Sequence, residues 1–236
     1  MSGGGNLAAP FKGFTLAEVL VTLGIIGVVS AMTVPTLMQN YQRKSYVTQL
    51  HKVYNEVQQA LLQYQTDRNA VDLKEAGLVG ADAQIAFVKK YFKVVQDCGE
   101  NLTPCFSNSY KKLAGTTATV SDADNYFVLA NGSAIATTSK TTINSNNLVM
   151  EVWVDVNGQQ GPNIIGRDHF IMYIYKNGVI DDINWEEQSS GGNTVVNVPL
   201  EHDYRERMFT SHCLASENSR RGCFGKILND NWEMTY

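Results

Sequence analysis

The chain has 236 residues, with 19 Lys and Arg against 23 Asp and Glu, for a net charge of −4. At 44% hydrophobic and 18% charged residues it is too apolar for a disordered chain, and its acidic balance excludes a protein that coats nucleic acid over its whole surface. A slightly negative mean hydropathy excludes a polytopic membrane protein but leaves room for one spanning segment.

In chain order, residues 1–13 read MSGGGNLAAPFKG, a short polar stretch with no pattern able to fold. Glu18 and Arg43 then enclose 24 residues without a charge, Val19 to Gln42. Val19 to Met38 is interrupted only by three Thr and one Ser. A hydrocarbon core of ~30 Å needs about 20 helical residues, so this run is long enough to span. A cleaved secretory signal fits poorly. Ser30-Ala31-Met32 is a weak processing site, and Pro35 follows at once. Beyond the span, Leu37, Tyr41, Val47, Leu50, Tyr54, Val57, Leu61 and Tyr64 recur at mostly helical steps. One helix from Phe14 to about Arg68 is expected, roughly 80 Å long by its rise per residue. Gly24, Gly27 and Pro35 weaken it, which makes the stretch from Gly27 to Pro35 its soft part.

At Lys12-Gly13-Phe14-Thr15-Leu16-Ala17-Glu18-Val19-Leu20 the sequence resembles the type IV pilin and type II secretion pseudopilin family. Gly13, Phe14, Thr15, Leu16 and Glu18 occupy the family's positions, and Pro35 lies where many members carry a helix-interrupting proline. The resemblance covers roughly residues 12–65. It implies a leader, residues 1–13, cut by a prepilin peptidase between Gly13 and Phe14, with Phe14 then N-methylated. It implies a transmembrane and assembly half, 14–35, an amphipathic half, 36–68, and an extracytoplasmic domain, 69–236. It also implies that the softened stretch around Gly27 and Pro35 loses helicity in a filament. A carboxylate inside a membrane is costly unless paired. The chain's own amine is poorly placed in the first turn, so Glu18 reads as an assembly residue meeting a neighbouring subunit's amine.

Four cysteines, Cys98, Cys105, Cys213 and Cys223, form two close pairs without a CxxC, which argues against a zinc site. Three disulfide connectivities are open, and the local one, Cys98–Cys105 with Cys213–Cys223, is the simplest. Bridges place the domain outside the cytoplasm. Apolar Ile85, Val88, Phe92 and Val95 suggest a second helix over Ala83–Val95, and residues 98–125 read as loop. Short apolar runs on either side of Asn131-Gly132 predict a hairpin. Strands are expected over Leu148–Val156 and Phe170–Tyr175, the latter turning at Asn177-Gly178. Residues 186–198 read as a polar loop, and 201–210 as a short helix. The fold class is therefore α+β, a long N-terminal helix packed on an antiparallel sheet of about four strands.

The run Asp155-Val-Asn157-Gly158 to Gly166-Arg-Asp168-His-Phe170 resembles a loop carried between two strands by many pilin-like proteins. Asp, Asn and Gly shape turns through side-chain to backbone bonds, so a shaped loop is one reading. A Ca²⁺ site using Asp155, Asn157 and Asp168 is the other, although the EF-hand spacing fails. No other cofactor is expected. No GxSxG, HExxH or phosphate loop appears, and His51, His169, His202 and His212 are scattered, so no enzyme is expected. The clusters Lys89-Lys90-Lys93, Lys111-Lys112, Arg205-Arg207 and Arg220-Arg221 read as solvated faces; a DNA contact is the alternative.

The resemblance implies a structural subunit of a type IV pilus or a secretion pseudopilus. It starts as a single-pass protein of the bacterial inner membrane and ends in a periplasmic or surface filament. Its partners are other pilin or pseudopilin subunits, the prepilin peptidase, an inner-membrane assembly platform and, before assembly, membrane lipid. The alternatives are a minor tip pilin that binds DNA or a surface, and a membrane-tethered periplasmic enzyme.

Overall fold

The computed structural model describes residues 13–140, 147–184, 197–215 and 219–236. Most of the leader and the loop expected over 186–198 thus lie outside the described residues. The chain divides into two compact units, Met1–Gln42 and Arg43–Tyr236. Helix α1, Leu16–Arg68, runs through both without a break.

In the first unit α1 is apolar and exposed on every side. By length and composition this stretch suffices to cross a membrane, and none of its most apolar window is buried. Leu37 and Tyr41, which the periodicity includes in the amphipathic stripe, are exposed. The helix passes through Gly24, Gly27 and Pro35, and a Cβ at either glycine would meet open space.

In the second unit the stripe is put to use. Val47, Leu50, Val53, Val57, Ala60, Leu61 and Tyr64 are buried, at the three- and four-residue steps of one helix face. They join a single core cluster with the buried strand residues. The helix ends where Asn69 takes a positive φ of 49°. Helix α2, Ala81–Tyr91, buries Gln84, Phe87 and Val88, and the Gln84 amide donates to the Val149 carbonyl at 2.8 Å. Phe87 meets Tyr64 edge-on, which ties α2 to α1.

The main sheet has six strands. They are β1 (Val94–Gly99), β4 (Asn125–Leu129), β5 (Ala134–Thr138), β6 (Leu148–Asp155), β7 (His169–Tyr175) and β8 (Ile180–Asp181), antiparallel in the order β1-β4-β5-β6-β7-β8. A small pair, β2 (Tyr110–Lys111) and β3 (Thr117–Ala118), stands apart from it. The α+β class holds, with two more strands in the main sheet than the pattern suggested. Val95 extends the helical spacing in the sequence, but Val94 and Val95 belong to β1, because the chain is already extended at Phe92. The Asn131-Gly132 turn joins β4 to β5, and Asn177-Gly178 joins β7 to β8.

Every residue of β6 and β7 is buried, so both faces of these strands are covered. Register places Tyr126, Ala136, Trp153 and Ile171 on one face. Phe106 packs edge-on to Tyr126, and Tyr110 edge-on to His169, so the segment between β1 and β4 covers that face. Beyond β8 the chain forms α3 (His202–Met208), a π-helical turn (Phe209–Cys213) and α4 (Cys223–Asn229).

Candidate functional site

Two places carry the sequence-derived candidates, one in each unit. The first is the start of α1. Gly13 and Phe14 precede the helix, and Phe14 is 88% exposed. Thr15 caps the helix. Its hydroxyl accepts the Glu18 N–H at 3.2 Å, while Glu18 Oε2 accepts the Thr15 N–H at 2.8 Å and the Thr15 hydroxyl at 2.9 Å. This is a reciprocal capping box, which satisfies orphan donors of the first turn. All the bonds to the carboxylate use Oε2, which leaves Oε1 open to a further donor. The sequence reading places Thr15 only as a family position and gives it no capping role, although Thr-x-x-Glu before an apolar run is the pattern of such a box.

A family model, the prokaryotic N-terminal methylation motif, matches residues 10–34. The chain carries the type IV pilin and pseudopilin signal. No curated protein and no solved structure matches it significantly. The long apolar helix followed by an antiparallel sheet is a pilin-like architecture.

The second place, in the pilin-like chain's globular unit, is the loop from Asp155 to Asp168. Both carboxylates are fully buried. Asp155 Oδ2 accepts the Tyr110 hydroxyl at 2.5 Å, and Oδ1 accepts the Asn157 N–H at 3.2 Å. Burial pushes the Asp155 carboxyl up to about 8. Asp168 accepts the Asn163 N–H at 2.7 Å and the Ile164 N–H at 2.6 Å, and burial raises its pKa as well. The Asn157 amide donates to the Gly161 carbonyl at 3.0 Å. A calcium ion needs several oxygens turned inward with lone pairs free. Here each carboxylate already accepts two hydrogen bonds, Asp155 from Tyr110 of β2 and from Asn157, and Asp168 from Asn163 and Ile164. Among the described residues no group of three or more His, Cys, Asp or Glu gathers as a metal site. Asn157 Oδ1, the third oxygen donor of the candidate set, is buried without a partner among the described residues.

His169 lies on the same face, flanked by Tyr110 and Phe106, with neither ring nitrogen partnered. Burial pushes its pKa down to about 3, so it is a neutral packed ring.

The structure pairs Cys98 with Cys105 and Cys213 with Cys223. The second bridge packs on the loop. A Cβ at Gly166 would stand 3.0 Å from Cys223 Sγ and 3.2 Å from Cys213 Sγ, and the position has φ +87°. Only glycine lets the loop backbone approach the bridge this closely.

Several residues that hold this region are not legible in the sequence. Lys112, in a pair read as a solvated face, is buried; its ammonium donates to the His212 carbonyl at 2.6 Å and also to that of Ser219. Arg205 grips the buried Asp181 through two nitrogens. Asp182 accepts the N–H groups of Ile183, Gly222 and Gly225, and burial pushes its carboxyl up to about 6. The other basic clusters are largely committed too. Lys89 pairs with Asp97, Lys90 with Asp67, and Arg220 with Asp122 while lying over the Trp153 ring.

Proposed function

We propose that this chain is a filament subunit. It is made as a prepilin, cut between Gly13 and Phe14, methylated on Phe14, and polymerised through the apolar part of α1. The observation that carries the reading is the capped helix start, where an exposed carboxylate with one open oxygen sits at the head of an exposed apolar helix. Burying such a helix against like helices removes its apolar surface from water and lipid alike. The carboxylate is then tolerated only if a cation meets it. After cleavage the Phe14 amine of a neighbouring subunit supplies one, and Glu18 Oε1 receives it. The Gly27–Pro35 stretch, which has open space around Gly27, gives the helix freedom to unwind during this packing.

The globular unit serves as a disulfide-braced body outside the cytoplasm. In this reading its buried acids shape loops and clamp segments, and the protein is structural rather than catalytic. A DNA-binding tip role is less favoured, because Lys89, Lys90, Lys112 and Arg220 of the basic clusters that suggested it pair with carboxylates or carbonyls.

Mass spectrometry of the assembled protein tests the proposal. The expected N-terminus is Phe14 with one added methyl group. A mature chain that begins at Met1, or one cut near Ala31, contradicts it.

A further inference from the structure

Where α1 passes the junction of α2 with β1 and the turn between β4 and β5, the globular unit carries an open groove of about 470 Å³. Glu56, Gln59 and Gln63 line one wall; at steps of three and four they share a face of α1. Phe92 and Lys93 line a second wall, and Asn131 of the turn a third. Ala60 and Leu129, both buried, supply an apolar floor. All of these residues lie in the second compact unit.

Some of the polar groups here are held in place. The Asn131 amide donates to both Glu56 oxygens at 3.2 Å, and Asn131 Oδ1 accepts the Ser133 N–H at 3.0 Å and the Ser133 hydroxyl at 2.6 Å. The turn thus fixes the Glu56 carboxylate at the groove, and each oxygen keeps a lone pair for a further donor. The Lys93 backbone is pinned through its carbonyl, which accepts the Ala130 N–H at 2.9 Å. The half-buried Phe92 ring stands edge-on to Phe87, with centroids 5.7 Å apart. Other groups are unengaged. The Gln59 and Gln63 amides and the Lys93 ammonium have no hydrogen-bond or ion-pair partner among the described residues.

One carboxylate and one ammonium cancel, so the groove has no net charge with which to select a phosphate or a cation. Three amides and a carboxylate set donors and acceptors side by side. The adjacent hydroxyl groups of a sugar both donate and accept, which suits such a set. The C–H face of a pyranose ring also suits the negative face of an aromatic ring. We propose that this groove binds one sugar residue of a neutral glycan chain, its hydroxyls on Glu56, Gln59, Gln63 and Lys93 and its ring face on Phe92. An open groove admits a residue within a longer chain, where an enclosed pocket admits only a free small molecule. The inference does not depend on the filament reading, since the whole site lies in the globular unit of one chain.

The test uses the full chain in phospholipid nanodiscs, free of sugar detergents, with empty discs as the blank. Saturation-transfer NMR is read on maltotriose, cellotriose and chitotriose. At least one trisaccharide is expected to receive saturation from the protein, one ring more than the other two. Gln59→Ala and Lys93→Ala, both at exposed positions, should each weaken binding about fivefold, the loss of one hydrogen bond. Phe92→Leu keeps an apolar contact with Phe87 but removes the flat ring, and should also weaken binding. Gln58→Ala, exposed on α1 and outside the groove, should bind as the wild type does. No transfer to any of the three sugars overturns the proposal, and so does binding that the Gln59, Lys93 and Phe92 variants leave unchanged. Transfer to trialanine but to none of the sugars overturns it in favour of a peptide groove. None of these outcomes bears on the Phe14 N-terminus, so the filament reading stands or falls separately.

Discussion

The Asp182 carboxylate accepts the backbone N–H of Gly222 at 3.1 Å, across 40 positions of sequence. It also accepts the Gly225 N–H at 2.8 Å, so one buried acid at the end of β8 holds the start of α4. Gly222 has φ +81°, and a Cβ there would lie 2.2 Å from the Met208 carbonyl oxygen. The chain passes so close to the end of α3 that no side chain fits between them. The second disulfide begins at the next residue, Cys223, and closes this corner covalently.

Gly222→Ala is therefore expected to destabilise the globular unit by more than about 2 kcal/mol, since strain and a backbone clash add. Gly77→Ala is the control. Gly77 also has a positive φ, +85°, but meets nothing within 4 Å, so only the conformational cost of about 1–2 kcal/mol applies. Thermal unfolding of the two variants should separate them clearly. Equal losses would show that the contact with Met208 contributes nothing.

Asp155 should make stability depend on pH. Its carboxyl titrates near 3.8 when unfolded and at about 8 when folded, because burial disfavours the charge. Between these values the folded chain binds a proton that the unfolded chain does not. Stability from this group is thus greatest in acid and is lost as pH rises from about 4 to about 8, by at most about 1.4 kcal/mol per pH unit. Asp155→Asn removes the titration and should flatten the curve of Tm against pH in that window. An Asn variant that follows the wild-type slope would assign the dependence to other groups.

Thr15 is expected to matter for assembly through Glu18. Thr15→Ser keeps the hydroxyl that both accepts from the Glu18 N–H and donates to Oε2; Thr15→Val does not. Without it the carboxylate is held only by the Thr15 N–H and samples other rotamers. The ratio of sheared filament to membrane pool should fall several-fold for Thr15→Val and stay near wild type for Thr15→Ser. Glu18→Ala should insert and mature but assemble poorly. Normal filament yield from Glu18→Ala removes the assembly role assigned to the carboxylate.

Calcium should leave the globular unit unchanged. Asp155 and Asp168 already accept from Tyr110, Asn157, Asn163 and Ile164, and an ion would compete with those donors for the same oxygens. Melting curves with excess calcium and with chelator should superimpose. A calcium-dependent rise in Tm would assign Asp155, Asn157 and Asp168 as ligands.

What the sequence determined by itself is local. The uncharged run, the helix stripe from Val47 to Tyr64, the Asn-Gly turns and the capping pattern Thr15 to Glu18 all rest on residues within a few positions of each other. Hydrophobic period and the first-turn hydrogen bonds are set at that range. The same locality explains the misreading at Val94 and Val95. Val95 continues the helical spacing, but pairing with β4 draws both into a strand, and pairing across more than 30 positions has no local signature. The tertiary structure alone decided that Lys112 is a buried clamp, with acceptors at His212 and Ser219 about 100 positions away. It alone turned Asp155 inward to accept from Tyr110, Asp168 inward to accept from Asn163, and set Gly166 against the Cys213–Cys223 sulfurs. A charged residue reads as surface until the fold supplies the oxygens or N–H groups that make its burial affordable, and those come from segments that only the folded chain brings together.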